Sequence, residues 1–219
     1  MAHHPDHDPT VTVGVTGHRP NRLAMTPAAV RRACADLLGA IARHAGARTL
    51  VAVSPLAEGA DRAFAEAALT CDYRLHAILP FSGRDYETTF ADAAQTKDYR
   101  RLLARCTDVT ELNGQLSRST DAYRAVGTKI VAAGDIIIAV WDGRPAAGDG
   151  GTADVIAMAL RAGRPLLWID ARDRQPPRLL RPPSHDADDL ITAMGQAIAV
   201  DDTALAAVVA ATAAQHPNG

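Results

Sequence analysis

The stretch Val140-Trp141-Asp142-Gly143-Arg144-Pro145-Ala146-Ala147-Gly148-Asp149-Gly150-Gly151-Thr152-Ala153-Asp154 decides how this chain is read. It follows an uninterrupted apolar run over residues 136–140 and leads into a helical pattern over 155–162. Strand, glycine-rich loop and helix in that order aim free backbone N–H groups at an anion such as phosphate. A second loop of the same kind, Gly14-Val15-Thr16-Gly17-His18-Arg19-Pro20, closes the first apolar run near the N-terminus.

Outward from these loops, short apolar runs alternate with longer helical patterns. Strands are predicted over residues 11–15, 49–53, 74–79, 135–140 and 165–169, with a further edge strand over 108–112. Helices are predicted over 27–45, 59–70, 86–105, 120–133, 186–200 and 202–215, besides the one after the glycine loop. The fold class is therefore α/β: a Rossmann-like open, mainly parallel sheet of about six strands with helices on both faces. Right-handed crossovers place strand one centrally, with strands two and three on one side and strand five on the other. The chain divides into a flexible tail (1–10), a nucleotide-binding domain (11–170), and a Pro/Arg-rich surface loop with C-terminal helices (171–219). Those helices pack on the domain or on a partner subunit; Leu205, Val208 and Val209 form the apolar face of the last one.

Composition sets bounds. At 219 residues with 47% hydrophobic and 22% charged content, the chain is an ordinary globular protein able to bury a core. A net charge of −2, and only Lys97 and Lys129 among 23 basic residues, give no electrostatic footprint for nucleic acid or an anionic membrane. No nucleic acid and no membrane are expected as partners. Cys34, Cys71 and Cys106 are too few and scattered for a disulfide framework or a zinc site, and no metal is expected. His3, His4 and His7 belong to a solvated tail. With no signal peptide or membrane-length apolar run, the expected location is cytoplasmic.

The loops after strands one and five flank a topological switch point, where ligands bind in open α/β sheets. Gly17 permits a close approach, and Arg19 offers a bidentate contact to phosphate, with His18 between them. Gly150, Gly151 and Thr152 present N–H groups at a helix N-terminus; Thr152 as a cap and Asp154 as a first-turn acid are the plainer reading. Asp142 suits a ribose hydroxyl or a turn. A third segment, Ser54 to Arg62, follows strand two. In it Ser54 is a phosphate contact, Glu58 and Asp61 are ribose contacts or acid–base groups, and Gly59 and Arg62 complete the loop. A helix start with acidic first-turn residues explains the same pattern. Pro80 adds a wall with Phe81, and Tyr86 or Tyr123 could stack on a base.

With these residues assembled, the chain resembles the SLOG superfamily, which groups DNA-processing protein A-like and Lonely Guy-like Rossmannoid domains. The resemblance rests on residues 14–20, 56–62 and 135–169 and covers roughly 11–170. It implies binding of a nucleotide or nucleotide-derived ligand, ADP-ribose-like or a nucleoside phosphate, by a sensor or accessory module in bacterial defence or nucleotide signalling. A homo-oligomer or a separate effector protein would then complete the response. The alternative it implies is an N-glycosidic hydrolase, a phosphoribohydrolase acting on a nucleoside monophosphate or an NAD-related substrate. Lonely Guy hydrolases carry Pro-Gly-Gly-x-Gly-Thr-x-x-Glu; here the glutamate position is Val155. Catalysis would fall to Glu58 or Asp61.

Overall fold

The structure, a computed structural model, describes residues 9–145, 151–181 and 196–215. Eight strands form one sheet: β1 (Thr10–Gly17), β2 (Thr49–Ser54), β3 (Arg74–Leu79), β4 (Asp108–Glu111), β5 (Ile136–Trp141), β6 (Leu166–Asp170), β7 (Arg178–Leu180) and β8 (Ile198–Ala199). Their order is β4-β3-β2-β1-β5-β6-β7-β8. The first six strands pair in parallel, and β7 and β8 add antiparallel edges. Strand β1 lies centrally with β2 and β3 on one side and β5 on the other, as the crossover argument requires.

Helices cover both faces. Along β5 every side chain is buried, and successive residues face opposite cores: Ile136, Ile138 and Val140 join one cluster, Ile137, Ala139 and Trp141 the other. The first core packs against α1 (Pro27–Ala45), α2 (Ala60–Thr70), α3 (Gly83–Glu87), α4 (Ala93–Leu103) and α7 (Asp202–Gln215). The second packs against α5 (Ser119–Ala133) and α6 (Thr152–Arg161). Helix α1 begins at a Thr26 cap with Pro27 behind it and stops at Gly46, whose φ of +66° ends the helix.

Three elements depart from the sequence reading. The single helix expected over 86–105 is two, α3 and α4, because Ser82 and Asp92 each cap a new N-terminus through their side chains. The loop expected after residue 171 contains β7, where Leu179 and Leu180 are buried against β6. Part of the helix expected near 186–200 lies outside the described residues, and at Ile198–Ala199 the chain is strand β8. In α7, Leu205, Val208 and Val209 join the core beside α1. The Arg48 guanidinium fixes this docking by donating to the Val209 carbonyl and the Thr212 hydroxyl. Among the described residues, no helix is long and apolar enough to cross a membrane, no cluster fits a metal ion, and the three cysteines are free thiols.

Candidate functional site

Small residues bring the carboxyl ends of β1 and β2 together. A Cβ on Gly17 would collide with the Ala60 Cβ, so glycine there lets the start of α2 reach the end of β1. Gly59 holds φ +96°, and a Cβ on it would lie 2.6 Å from the His18 carbonyl oxygen. That oxygen accepts instead from the Ala60 N–H at 3.1 Å. On the other flank, the His18 N–H donates to the Val140 carbonyl of β5 at 3.0 Å.

A cavity of about 370 Å³ opens at this junction, within the range of small-molecule pockets. Its walls come from the β1 loop (Gly17, His18, Arg19, Asn21, Arg22) and from Pro55, Ala57 and Asp61 before and within α2. Tyr86 of α3, the α5 face of Tyr123, Val126, Gly127 and Ile130, and Gly151, Thr152 and Val155 at the start of α6 complete it. The loop after β1 and the start of α6 thus meet over one space at the switch point.

One wall is a closed polar latch. The His18 imidazole is 4% exposed. Its Nε2 lies 3.0 Å from Asp142 Oδ1 and its Nδ1 3.2 Å from the Thr152 hydroxyl. Nε2 also faces the Asp142 N–H at 3.2 Å, so the tautomer sets which contact forms: Nε2–H donates to the carboxylate while Nδ1 accepts from Thr152, and Nδ1–H donates to Thr152 while Nε2 accepts from the Asp142 N–H. Burial lowers the His18 pKa against the raising effect of the Asp142 hydrogen bond, so the ring stays neutral at pH 7. Asp142 Oδ2 accepts from Arg22 at 2.8 Å, and Oδ1 accepts from the Arg144 N–H at 3.1 Å. Burial opposes ionisation of Asp142, but the hydrogen bonds from Arg22, His18 and Arg144 outweigh it and hold the carboxyl well below the usual carboxylate range.

The floor differs. Asp61 is 5% exposed, lines the cavity, and has no hydrogen-bond partner for its buried Oδ1. Burial pushes its pKa up to about 8, against the pull of Arg19 and Arg62. The Tyr86 hydroxyl, also buried and also on the cavity, has no partner either. Above them Arg19 is 40% exposed, 3.5 Å from Glu58 Oε2, with its guanidinium over the Tyr123 ring at 5.8 Å.

The remaining sequence candidates lie outside the cavity lining. Ser54 is fully buried, donating to the Asp61 carbonyl and accepting from the Leu56 N–H. Glu58 accepts from the Ala91 N–H at 2.8 Å. Arg62 donates to the Leu56 carbonyl and to Gln95, and its guanidinium stacks 4.5 Å from the Phe90 centroid. Gly59 serves the turn, and Asp154 sits in the first turn of α6. The Pro80 carbonyl accepts from Gly114 beside a separate surface hollow. Asp142 acts behind the lining, through the latch. Gly150 lies outside the described residues. Beyond Tyr123, the α5 stripe that it forms with Val126, Gly127 and Ile130 was unforeseen. Its signal is a glycine inside a helix at i, i+3, i+4, i+7 spacing, and Gly127 faces Val155 so closely that a Cβ would lie 2.6 Å from its Cγ2.

No protein-family model and no curated protein matches the sequence. Solved structures do. DNA processing protein A from Helicobacter pylori matches at TM-score 0.55 and 17% identity, over 92% of this chain and 80% of that one. The chain shares its fold with that protein. DNA processing protein A from Streptococcus pneumoniae matches at TM-score 0.50 and 16% identity, over 75% of this chain and 54% of that one, so the match spans about half of that protein. The molybdenum cofactor binding protein from Rippkaea orientalis matches at TM-score 0.43 and 18% identity, over 73% and 76% of the two chains. At these identities the likeness is one of fold. It corrects one expectation nonetheless. The Helicobacter pylori protein, which shares this fold, is described by its single-stranded DNA binding mode, so the expectation of no nucleic-acid partner does not stand.

Proposed function

We propose that this SLOG-type domain binds a nucleotide or nucleotide-derived ligand, ADP-ribose-like or a nucleoside phosphate, as a sensor or accessory module. The observation that carries the reading is the cavity at the switch point, where Arg19 and the N-terminal residues of α6, Gly151 and Thr152, share one space. A guanidinium and a helix N-terminus both favour an anion. The apolar side chains of Val126, Ile130 and Val155 suit the face of a heterocycle.

Calorimetric titration tests the reading with ADP-ribose, NAD, AMP and a single-stranded DNA oligonucleotide. A nucleotide is expected to bind, and Arg19→Ala to weaken it by about tenfold or more through loss of a charged hydrogen bond. Gly151→Val is expected to block it. Heats unchanged in both variants would remove the ligand from this cavity. Binding of the oligonucleotide alone would transfer the function to nucleic acid.

One observation favours a second reading, an N-glycosidic hydrolase. Asp61 is a cavity carboxyl held mostly as the uncharged acid, a form able to give a proton to a departing base. Val155, at the motif position of the hydrolase glutamate, lines the cavity with an apolar side chain, and among the described residues Asp61 is the acid of the lining. Free base from a nucleoside monophosphate, lost in Asp61→Asn, is the expected signature. No base release across a broad panel of monophosphates and NAD would end this reading.

A further inference from the structure

Two unsatisfied polar atoms lie together at the base of the cavity. Burying a polar group without a partner is costly, and such groups are rare in native proteins. The Asp61 Oδ1 and Tyr86 hydroxyl are both buried, both unpartnered, and both on cavity-lining residues. They are brought there by unrelated elements, Asp61 by the Gly17–Ala60 approach and Tyr86 by its place in α3. Arg62, next to Asp61 and also buried, has an unpartnered Nη2 as well but does not line the cavity, and the nearby buried Ser54 and Glu58 each have a partner within the fold.

We propose that Asp61 and Tyr86 form a recognition floor in which Asp61, as the uncharged acid, donates a hydrogen bond to an uncharged acceptor on the nucleoside part of the ligand. This rests on the nucleotide-binding reading above and adds to it an orientation. The anionic end lies at Arg19 and the α6 N-terminus, and the nucleoside end enters last. An ionised Asp61 has no proton to give and presents a negative charge to a neutral acceptor, so binding requires the protonated form.

The groups facing Asp61 determine where that proton is lost. Arg19 from the β1 loop and Arg62 from α2 favour ionisation, while burial disfavours it more strongly. Tyr86 of α3 and Cys34 of α1 also face Asp61, and each is itself held protonated by burial. Tyr123 of α5 faces Tyr86 and is the remaining titratable group of the floor. Loss of binding is therefore expected as pH rises through about 8. The ligand phosphate, with a second pKa of about 6, is already ionised there.

The full chain is titrated with AMP, ADP-ribose and ribose 5-phosphate at pH 7.0 and 9.5. Wild type is expected to bind AMP or ADP-ribose about tenfold or more weakly at the higher pH, because only the protonated fraction is competent. In Asp61→Asn, whose amide donates at every pH, the ratio between the two pH values should fall below about twofold. Tyr86→Phe should weaken binding and leave the pH ratio in place. If ribose 5-phosphate shows the same pH ratio, the acceptor is on the sugar; if only the base-containing ligands show it, the acceptor is on the base. No binding by any of the three at pH 7.0 overturns the nucleotide reading. A pH-independent wild type, or a pH ratio that survives in Asp61→Asn, overturns the floor alone. Melting of the free protein gives a check without ligand. The gain in melting temperature of Asp61→Asn over wild type should grow from pH 5 to pH 9, and a constant difference refutes the buried neutral acid.

Discussion

Two walls of the same cavity treat buried polar groups in opposite ways. In the latch, His18, Asp142, Arg22 and Thr152 satisfy one another across the loops after β1 and β5. On the floor, Asp61 and Tyr86 hold polar atoms that the described residues leave unsatisfied. The latch is how a fold joins two loops; the floor is how a fold leaves something for a ligand to complete. Their electrostatics diverge accordingly. His18 and Asp142 have lowered pKa values in the folded state, so their contribution is present at neutral pH and lost on acidification, first below about 6.5 as the unfolded histidine protonates. Asp61 has a raised pKa, so the cost of its burial is absent below about 4 and grows until about 8.

The sharpest way to break the comparison is Asp142→Ala. It strips His18 and Arg22 of their shared acceptor and should cost about 3 kcal/mol in urea unfolding at pH 7.5. The deficit should not shrink toward pH 5, because Asp142 stays ionised there and, once removed, no longer offsets the burial that lowers the His18 pKa. Asp61→Asn should raise stability by more than about 1 kcal/mol at pH 8.5 and by less at pH 5, because the cost of burying the acid grows from about pH 4 to about 8. A destabilised Asp61→Asn at both pH values would place a hidden partner on the floor. Gly127→Ala presses a methyl against Val155 and should cost about 1–2 kcal/mol while narrowing the cavity, read by unfolding and by weaker AMP titration. Smallest is Tyr86→Phe, which removes an unpaired hydroxyl and should shift stability by less than about 1 kcal/mol.

The parallel strands and their order were legible because strands buried on both faces read as continuous apolar runs, as at Ile136–Trp141. Strand β7 was hidden: three residues are too few for an alternating pattern, and its partner β6 is set by tertiary pairing. The break between α3 and α4 had a signal in Ser82 and Asp92, but no Gly or Pro marked it as an end. At the cavity, Arg19, Gly151 and Thr152 were readable because loops at a switch point announce themselves. The separation of Glu58 from Asp61 was not. Both are buried acids three residues apart, and only the Ala91 N–H on one and the unpartnered Oδ1 of the other, which lines the cavity, tell them apart.

The closeness of Gly17 to Ala60 has a consequence for how this site can change over time. Asp61 is held in place through its backbone, by the Gly17–Ala60 approach and the Ser54 hydroxyl on its carbonyl, while its Oδ1 makes no hydrogen bond. Residue 61 can therefore be exchanged without breaking a hydrogen bond at Oδ1, whereas exchanging Asp142 breaks those from His18, Arg22 and Arg144. Descendants of this sequence could alter what the cavity selects by one codon at the floor, while the latch and the glycine contact preserve the scaffold around it.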